Sequence, residues 1–486
     1  MLSEKTLTTE STSSTIASPE LAEKDDPSRD ADHSSTSNVS DSTLDDPYQV
    51  TLDASEHPQS GLSTFRKWLA VVIISTSALC VACASSIAAF TEDDCVGIGP
   101  LFVGPLSEVY GRNIIYQVSY TLFFAFSWPV AFAPNIAVYL IFRFFTGLCG
   151  AAFLSVAGGS VSDMFTDATV ANPMAFYTIS PFIGPVLGPL ISGFINQNLN
   201  WRWTWRIALI WVFAQWIALL LFVPETYVPV LLKRKAQRVR KSTGNTKYYA
   251  PLEKVNSSVF GKILVSCYRP FQLILYDRMA LLLDVWNALI LGILYLTFQA
   301  FPIVFERGHG FNMQETGLSF LGIGLGMLIA IFTQPFWNRR FARQSLIYDG
   351  NPPPEARLIM GQVGAILVPI SLYWLAFTTY SHVHWIAPII ASVPFGSGIY
   401  FVFMSTFTYL VTAYRPIAAS AMASNSSMRS MFAAVFPLFA GAMYNRLGTV
   451  GATALLAGLT TIMAPLPFIF YKIGYRLRQQ SRFAVH

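Results

Sequence analysis

A dozen apolar runs, separated by short polar stretches, constrain this chain of 486 residues more than any other feature. They read as 68–90, 96–106, 114–133, 136–158, 174–195, 204–223, 279–304, 316–337, 358–380, 384–411, 416–441 and 449–471. A helix needs roughly 20 apolar residues to cross about 30 Å of hydrocarbon. No water inside lipid satisfies an open backbone, so each run must close its own amide hydrogen bonds as a helix. Charged residues make up 12% of the chain, against about 25% in soluble globular proteins. The expectation is an all-α, multi-pass membrane protein. One run departs from the pattern: 96–106 is about eleven residues, near 17 Å as helix, too short to cross.

Residues 1 to about 64 are rich in Ser, Thr, Asp and Glu and poor in large apolar side chains. Such a segment buries too little surface to offset its ordering entropy and reads as a disordered tail. A polar stretch at 224–278 divides the spans into an N-terminal bundle, 65–223, and a C-terminal bundle, 279–478, followed by a tail at 479–486. Lys and Arg mark the cytoplasmic side of a membrane. Lys233, Arg234, Lys235, Arg238, Arg240 and Lys241 crowd the central stretch. Arg339, Arg340, Arg343 and Arg357 follow the second span of the later half, and Lys472, Arg476, Arg478 and Arg482 end the chain. Even numbers of spans separate these three sites, so all three share the inner side, and both tails are expected there. Arg202 and Arg206 oppose the rule, but they lie among Trp201, Trp203 and Trp205 and read as interfacial anchors. With the N-terminal tail inside, the short run must act as a span or a re-entrant piece.

Several function classes are disfavoured. The net charge of +5 forms no basic stripe interleaved with aromatics on a soluble domain, so nucleic-acid binding is not supported. Cys80 and Cys83 share the spacing of redox and metal motifs, yet inside an apolar run small packing residues are the better reading. No His-x-x-x-His, nucleophile elbow or P-loop is present, so no enzyme, metal or cofactor is expected. Sequons at Asn38, Asn256 and Asn425 fall in inner regions or at a span and are not read as glycosylation sites.

Three motifs carry mechanism. Gly104-Pro-Leu-Ser-Glu108-Val-Tyr-Gly111-Arg112 joins the short run to the next span. Its glycines permit a tight turn, and its acid and base would bridge helix ends as a conformational latch; an ordinary turn with an inner arginine is the alternative. Arg143, in Arg143-Phe-Phe-Thr-Gly147-Leu-Cys-Gly150, lies within a span. A guanidinium there faces a cavity or partner, unless it snorkels to the interface. Gly184-Pro185-Val-Leu-Gly188-Pro189-Leu-Ile-Ser-Gly193 repeats a Gly-Pro pair at four residues, which favours close helix packing and a kink.

Together these motifs resemble the major facilitator superfamily, in particular the fungal twelve-span drug:proton antiporters. Gly104, Glu108, Gly111 and Arg112 are similar to its loop motif between spans two and three. Arg143 with Gly147 is similar to the span-four motif, whose arginine is linked in the family to proton coupling. Gly184, Pro185, Gly188, Pro189 and Gly193 are similar to the antiporter motif of span five. Pro224-Glu225-Thr226-Tyr227 and Pro354-Glu355-Ala356-Arg357-Leu358 also resemble that group. The resemblance spans about residues 65–478. Asn113 stands where the loop motif often has a second basic residue, and the second span is shortened.

The resulting expectation is two pseudo-symmetric six-helix bundles with a substrate site near the midplane between them. Asp284, a carboxylate inside a span, is a coupling candidate, or a residue near the headgroups. Asn287, Tyr295 and Gln299 continue along one face of the same helix, and Asn425 and Arg429 lie four residues apart in a later one; these five are candidate lining of the substrate cavity. The expected activity is export of drug-like or secondary-metabolite molecules by proton antiport, by a monomer in the plasma membrane. The alternatives are import or facilitated movement of a polyamine, sugar or other nutrient, and a non-transporting, degenerate paralogue.

Overall fold

The computed structural model describes residues 48–481 apart from 54, 88–102, 104–105, 108–109, 166–168, 170, 255–258, 349–352 and 415–416. Gly104, Glu108, Cys95, Asn38, Asn256 and most of the 96–106 run lie outside the described residues. Of that run and its sequel, Val103, Leu106, Ser107 and Tyr110 are described, as helix.

The first half contributes α1 (Thr64–Ile87), α2 (Arg112–Ala131), α3 (Ile136–Met164), α4 (Ala171–Asn198) and α5 (Arg202–Phe222). Two helices that the polar central stretch did not announce follow, α6 (Val228–Thr243) and α7 (Val259–Tyr276). The second half contributes α8 (Arg278–Arg307), α9 (Met313–Ile347), α10 (Pro354–Thr378), α11 (Ile386–Ala413), α12 (Ala418–Met463) and α13 (Leu466–Gln480). α12 is two helices joined at Gly448, whose φ of 72° and ψ of 171° are open to glycine. Tyr444 before this break pairs with Thr453 beyond it at 3.1 Å, so the chain doubles back and α13 completes the return crossing.

Both α1 and α2 start beside the end of α3. Gln59, just before α1, donates to the Phe165 carbonyl (3.3 Å), and Arg112, the first residue of α2, pairs with Asp163 (3.3 Å). The two helices therefore run in one direction, as spans one and three of a twelve-span fold do. Residues 48–61, expected within the disordered tail, instead clasp the central segment. Val50 donates to the Tyr249 carbonyl (3.1 Å), and Tyr249 donates to the Tyr48 carbonyl (3.0 Å). Lys235 of α6 binds Asp53 (2.8 Å) and Glu56 (2.6 Å), and its hydrogen bond holds the Asp53 carboxyl below the ordinary range. The clasp holds the described residues just before α1 against the basic central segment.

The Gly-Pro repeat of α4 works on two faces. On one, a Cβ at Gly184 would strike Ala82 of α1, and one at Gly188 would strike Ser86. Ser86 and Cys83 donate to the Gly184 carbonyl at 3.2 and 3.5 Å. Cys80 and Cys83 are thus buried packing residues with free thiols. On the other face, α4 meets the second bundle. A Cβ on Gly193 would lie 2.6 Å from the Met313 carbonyl oxygen, and one on Gly317 would lie 2.9 Å from that of Pro189. Gln197 accepts from the Met313 amide (3.2 Å), and Ser85 of α1 pairs with Tyr295 of α8 (2.8 Å). These links join the bundles at their outer halves.

The two faces give separable outcomes. Gly188→Val should lower stability by about 2 kcal/mol or more through overpacking against α1. Gly193→Val should spare the N-terminal bundle and loosen the outer seam. Thermal unfolding in detergent measures the first effect, and labelling of a cysteine placed at Leu190 from the outer side measures the second.

Candidate functional site

At the inner end of the N-terminal bundle, a cluster of charges gathers three chain segments. Glu225, directly after α5, accepts from the backbone N–H of Arg112 (2.9 Å), Thr226 and Tyr227 (both 3.1 Å). Its carboxylate therefore sits at the first turn of α2, where unpaired N–H groups and the helix dipole favour negative charge. Gly111 leaves room for it: with φ at 102°, any Cβ there would run into the Glu225 carboxylate. The Arg112 side chain binds Asp163 at the end of α3 (3.3 Å) and the Ser107 hydroxyl (2.8 Å), and covers the Tyr227 ring at 5.0 Å. Asn113, in place of a second base, donates to the Val223 carbonyl (2.7 Å) and so ties α2 to the end of α5. Gly111 and Arg112 are thus brought together with Glu225 and Asp163, which the motif analysis did not single out as site residues.

The C-terminal bundle repeats this arrangement with its charges exchanged. Glu355, at the start of α10, takes a two-pronged bond from Arg478 near the end of α13, at 2.8 and 3.1 Å. Both side chains are buried, and Gly474 provides the space, since a Cβ there would sit 2.8 Å from a Glu355 oxygen. In each half, then, the end of the sixth span is fastened to the start of the third by an acid that follows a proline, Pro224-Glu225 or Pro354-Glu355. That shared dipeptide was a legible signal.

Arg143 does not reach the interface. It is buried, donates to the Ala84 carbonyl of α1 (2.6 Å) and lies over the Trp205 ring of α5 at 5.2 Å. It therefore binds α1 at the residue next to Ser85, whose partner is Tyr295 across the seam.

The polar cluster of the second bundle is built by α8 and α12. Asp284 is 1% exposed, enclosed between helices. One carboxyl oxygen accepts from Ser424 (2.5 Å), the other from Asn425 (2.8 Å). Asn425 in turn accepts from Asn287 (3.4 Å), so the chain of donors runs Asn287 to Asn425 to Asp284. Asn287 and Asn425 are fully buried between the helices. Gln299 reaches α12 further out, with its oxygen 3.8 Å from where a Cβ on Gly441 would stand. Arg429 extends from α12 over the rings of Phe403 (5.4 Å) and Phe407 (4.8 Å) of α11. Phe182 of α4 stacks on Phe403 at 5.1 Å, so this aromatic group crosses the seam between the bundles. Among the described residues, no cluster of His, Cys, Asp or Glu is arranged to hold a metal ion.

A profile of the Major Facilitator Superfamily matches residues 74–427. This chain belongs to the major facilitator superfamily. It is 47% identical over 445 residues to "Efflux pump atB" of Aspergillus terreus, covering 90% of each chain. It is 43% identical over 392 residues to "Probable drug/proton antiporter YHK8" of Saccharomyces cerevisiae, covering 80% of this chain and 76% of that one. Among solved structures, the xylose transporter XylE of E. coli in a partially occluded inward-open conformation shares the fold, with a TM-score of 0.58 at 14% identity, over 84% of this chain and 98% of that one. The all-helical, multi-pass architecture is that of this superfamily, and the chain is a membrane transporter.

The buried pair at the base of the second bundle predicts a measurable asymmetry. Glu355→Ala strands the Arg478 charge and should cost about 3–5 kcal/mol of stability, the usual loss when one partner of a buried pair is removed. Glu355→Leu with Arg478→Met together should recover most of that loss. Thermal unfolding of the purified variants decides between these outcomes.

Proposed function

We propose that this transporter exports small drug-like or secondary-metabolite molecules across the plasma membrane, as a monomer, and that protons enter in exchange. The observation that carries this reading is Asp284, a carboxylic acid enclosed between α8 and α12 of the second bundle and held by Ser424 and Asn425. A carboxyl group in the hydrocarbon layer is expensive, and one that binds and releases a proton is a coupling device. The names of two relatives, an efflux pump and a drug/proton antiporter, support both the direction and the ion.

The geometry supplies a route for alternating access. The seam is held at its outer half by the Gly193–Met313 and Gly317–Pro189 approaches and by the Ser85–Tyr295 bond. Opening outward means parting these contacts while each bundle moves as a unit, which the buried inner anchors at Glu225 and Glu355 favour. Arg143 would carry the motion of α1 to α3 and α5 through the Ala84 carbonyl. Gly111, Arg112, Glu225 and Asp163 would act as the latch of the N-terminal bundle. Gly104 and Glu108, which complete that motif in the chain, lie outside the described residues.

Asp284→Asn keeps the shape and the hydrogen-bonding capacity while removing the titratable proton. In proteoliposomes, transport driven by a pH gradient should fall to background, whereas exchange of labelled for unlabelled substrate at equal pH should persist. Gradient-driven transport surviving in Asp284→Asn would remove Asp284 from the coupling step.

A further inference from the structure

Arg429 is a cation in the second bundle with an unusual setting. It lies eleven residues after Ala418, about 17 Å along α12 at 1.5 Å per residue, and so near the middle of a layer roughly 30 Å thick. A cation at that depth is expected to pair with an anion or a chain of carbonyls. Among the described residues Arg429 makes no hydrogen bond and no ion pair, and its Nε is buried without a partner. Its contacts are the faces of Phe403 and Phe407, which offset part of the desolvation through cation–π attraction. Asp284, Tyr177 and Tyr295 are the titratable groups within its electrostatic reach. Asp284 is the nearest anion in that reach, yet no hydrogen bond or ion pair joins it to Arg429; its carboxyl oxygens are held by Ser424 and Asn425.

We propose that Arg429 receives the carboxylate of the transported molecule, and that the cargo of this site is an organic acid with an aromatic or apolar body. A guanidinium presents its N–H donors as a planar fork that matches the two oxygens of a carboxylate. The body of the acid lies against Phe182, Phe403 and Phe407, whose rings stack across the seam between α4 and α11. A lipid phosphate is a poorer occupant, since Phe182 and Phe403 are buried where the two bundles meet. The inference rests on reading this region as the transport site.

The test measures binding to the full chain in phosphatidylcholine nanodiscs, with benzoate, 2-naphthoate and indole-3-acetate, each beside its own primary amide. Wild-type protein should prefer at least one acid over its amide. Arg429→Gln should weaken that acid by about tenfold or more, the scale of one charge-assisted hydrogen bond, and leave the amide unchanged. Arg429→Lys, which keeps the charge and loses the fork, should fall between the two and shows the effect even if Arg429→Gln does not fold. Equal losses for acid and amide in either variant, or an acid unaffected by both, would overturn the proposal. A wild-type protein that transports neutral or cationic compounds and binds no acid overturns it while the exporter reading stands. A protein that transports no compound of any charge removes the exporter reading and the proposal with it.

Discussion

The absence of water from the bilayer interior governs this structure twice. It first forces the backbone into helices, because an amide without a partner in hydrocarbon costs several kcal/mol. It then removes the hydrophobic drive between helices, since lipid is as apolar as their side chains, and leaves close packing and polar contacts to join them. The joints accordingly fall where small residues allow approach. Gly184 and Gly188 admit α1, while Gly193 and Gly317 admit the opposite bundle. A single helix, α4, thereby serves both the interior of its own bundle and the seam along which the two bundles part.

The same scarcity of water explains how the charges are placed. At the ends beside the basic segments, Glu225 and Glu355 are buried: one Glu225 oxygen accepts three backbone amides, and Glu355 takes an arginine fork. They fasten the third span to the sixth in each half, with the acid on the sixth-span side in one half and on the third-span side in the other. Burying such pairs adds little net stability, but breaking one is costly, so the pairs make each bundle rigid. Rigid halves are what a rocking mechanism requires. At mid-depth, by contrast, Arg429 is left with aromatic faces alone, and Asp284 is bound by neutral donors. The charges that hold the scaffold are met by charged or amide partners, whereas Asp284 and Arg429 meet neutral donors and aromatic faces.

Much of the architecture was readable in one dimension. The apolar runs specified the helices long enough to cross a bilayer because length and hydropathy are local properties. Gly184 to Gly193 announced close packing, and Asp284 announced itself by sitting in a span. Less was legible of the inner anchors: Glu225 and Glu355 each follow a proline, but their partners Arg112 and Arg478 lie more than a hundred residues away in the chain. Composition also hid α6, α7 and the clasp of residues 48–61, because surface helices and short pairings need neighbours to be stable.

What the amino-acid order determined by itself, then, is the solvent: a chain this apolar, cut into lengths matching a bilayer, has one way to satisfy its backbone. Only the tertiary structure decided which polar residues meet. Asn287, Asn425 and Asp284 are joined into one chain of hydrogen bonds by the parallel packing of α8 and α12, and Tyr295 is turned instead to Ser85 across the seam. Arg143 and Arg429 look alike in sequence, each a lone cation in an apolar run. One found a carbonyl on α1 and the other found two aromatic rings, because a side chain's partner depends on which helix lies beside it, and that is a long-range property no local pattern encodes.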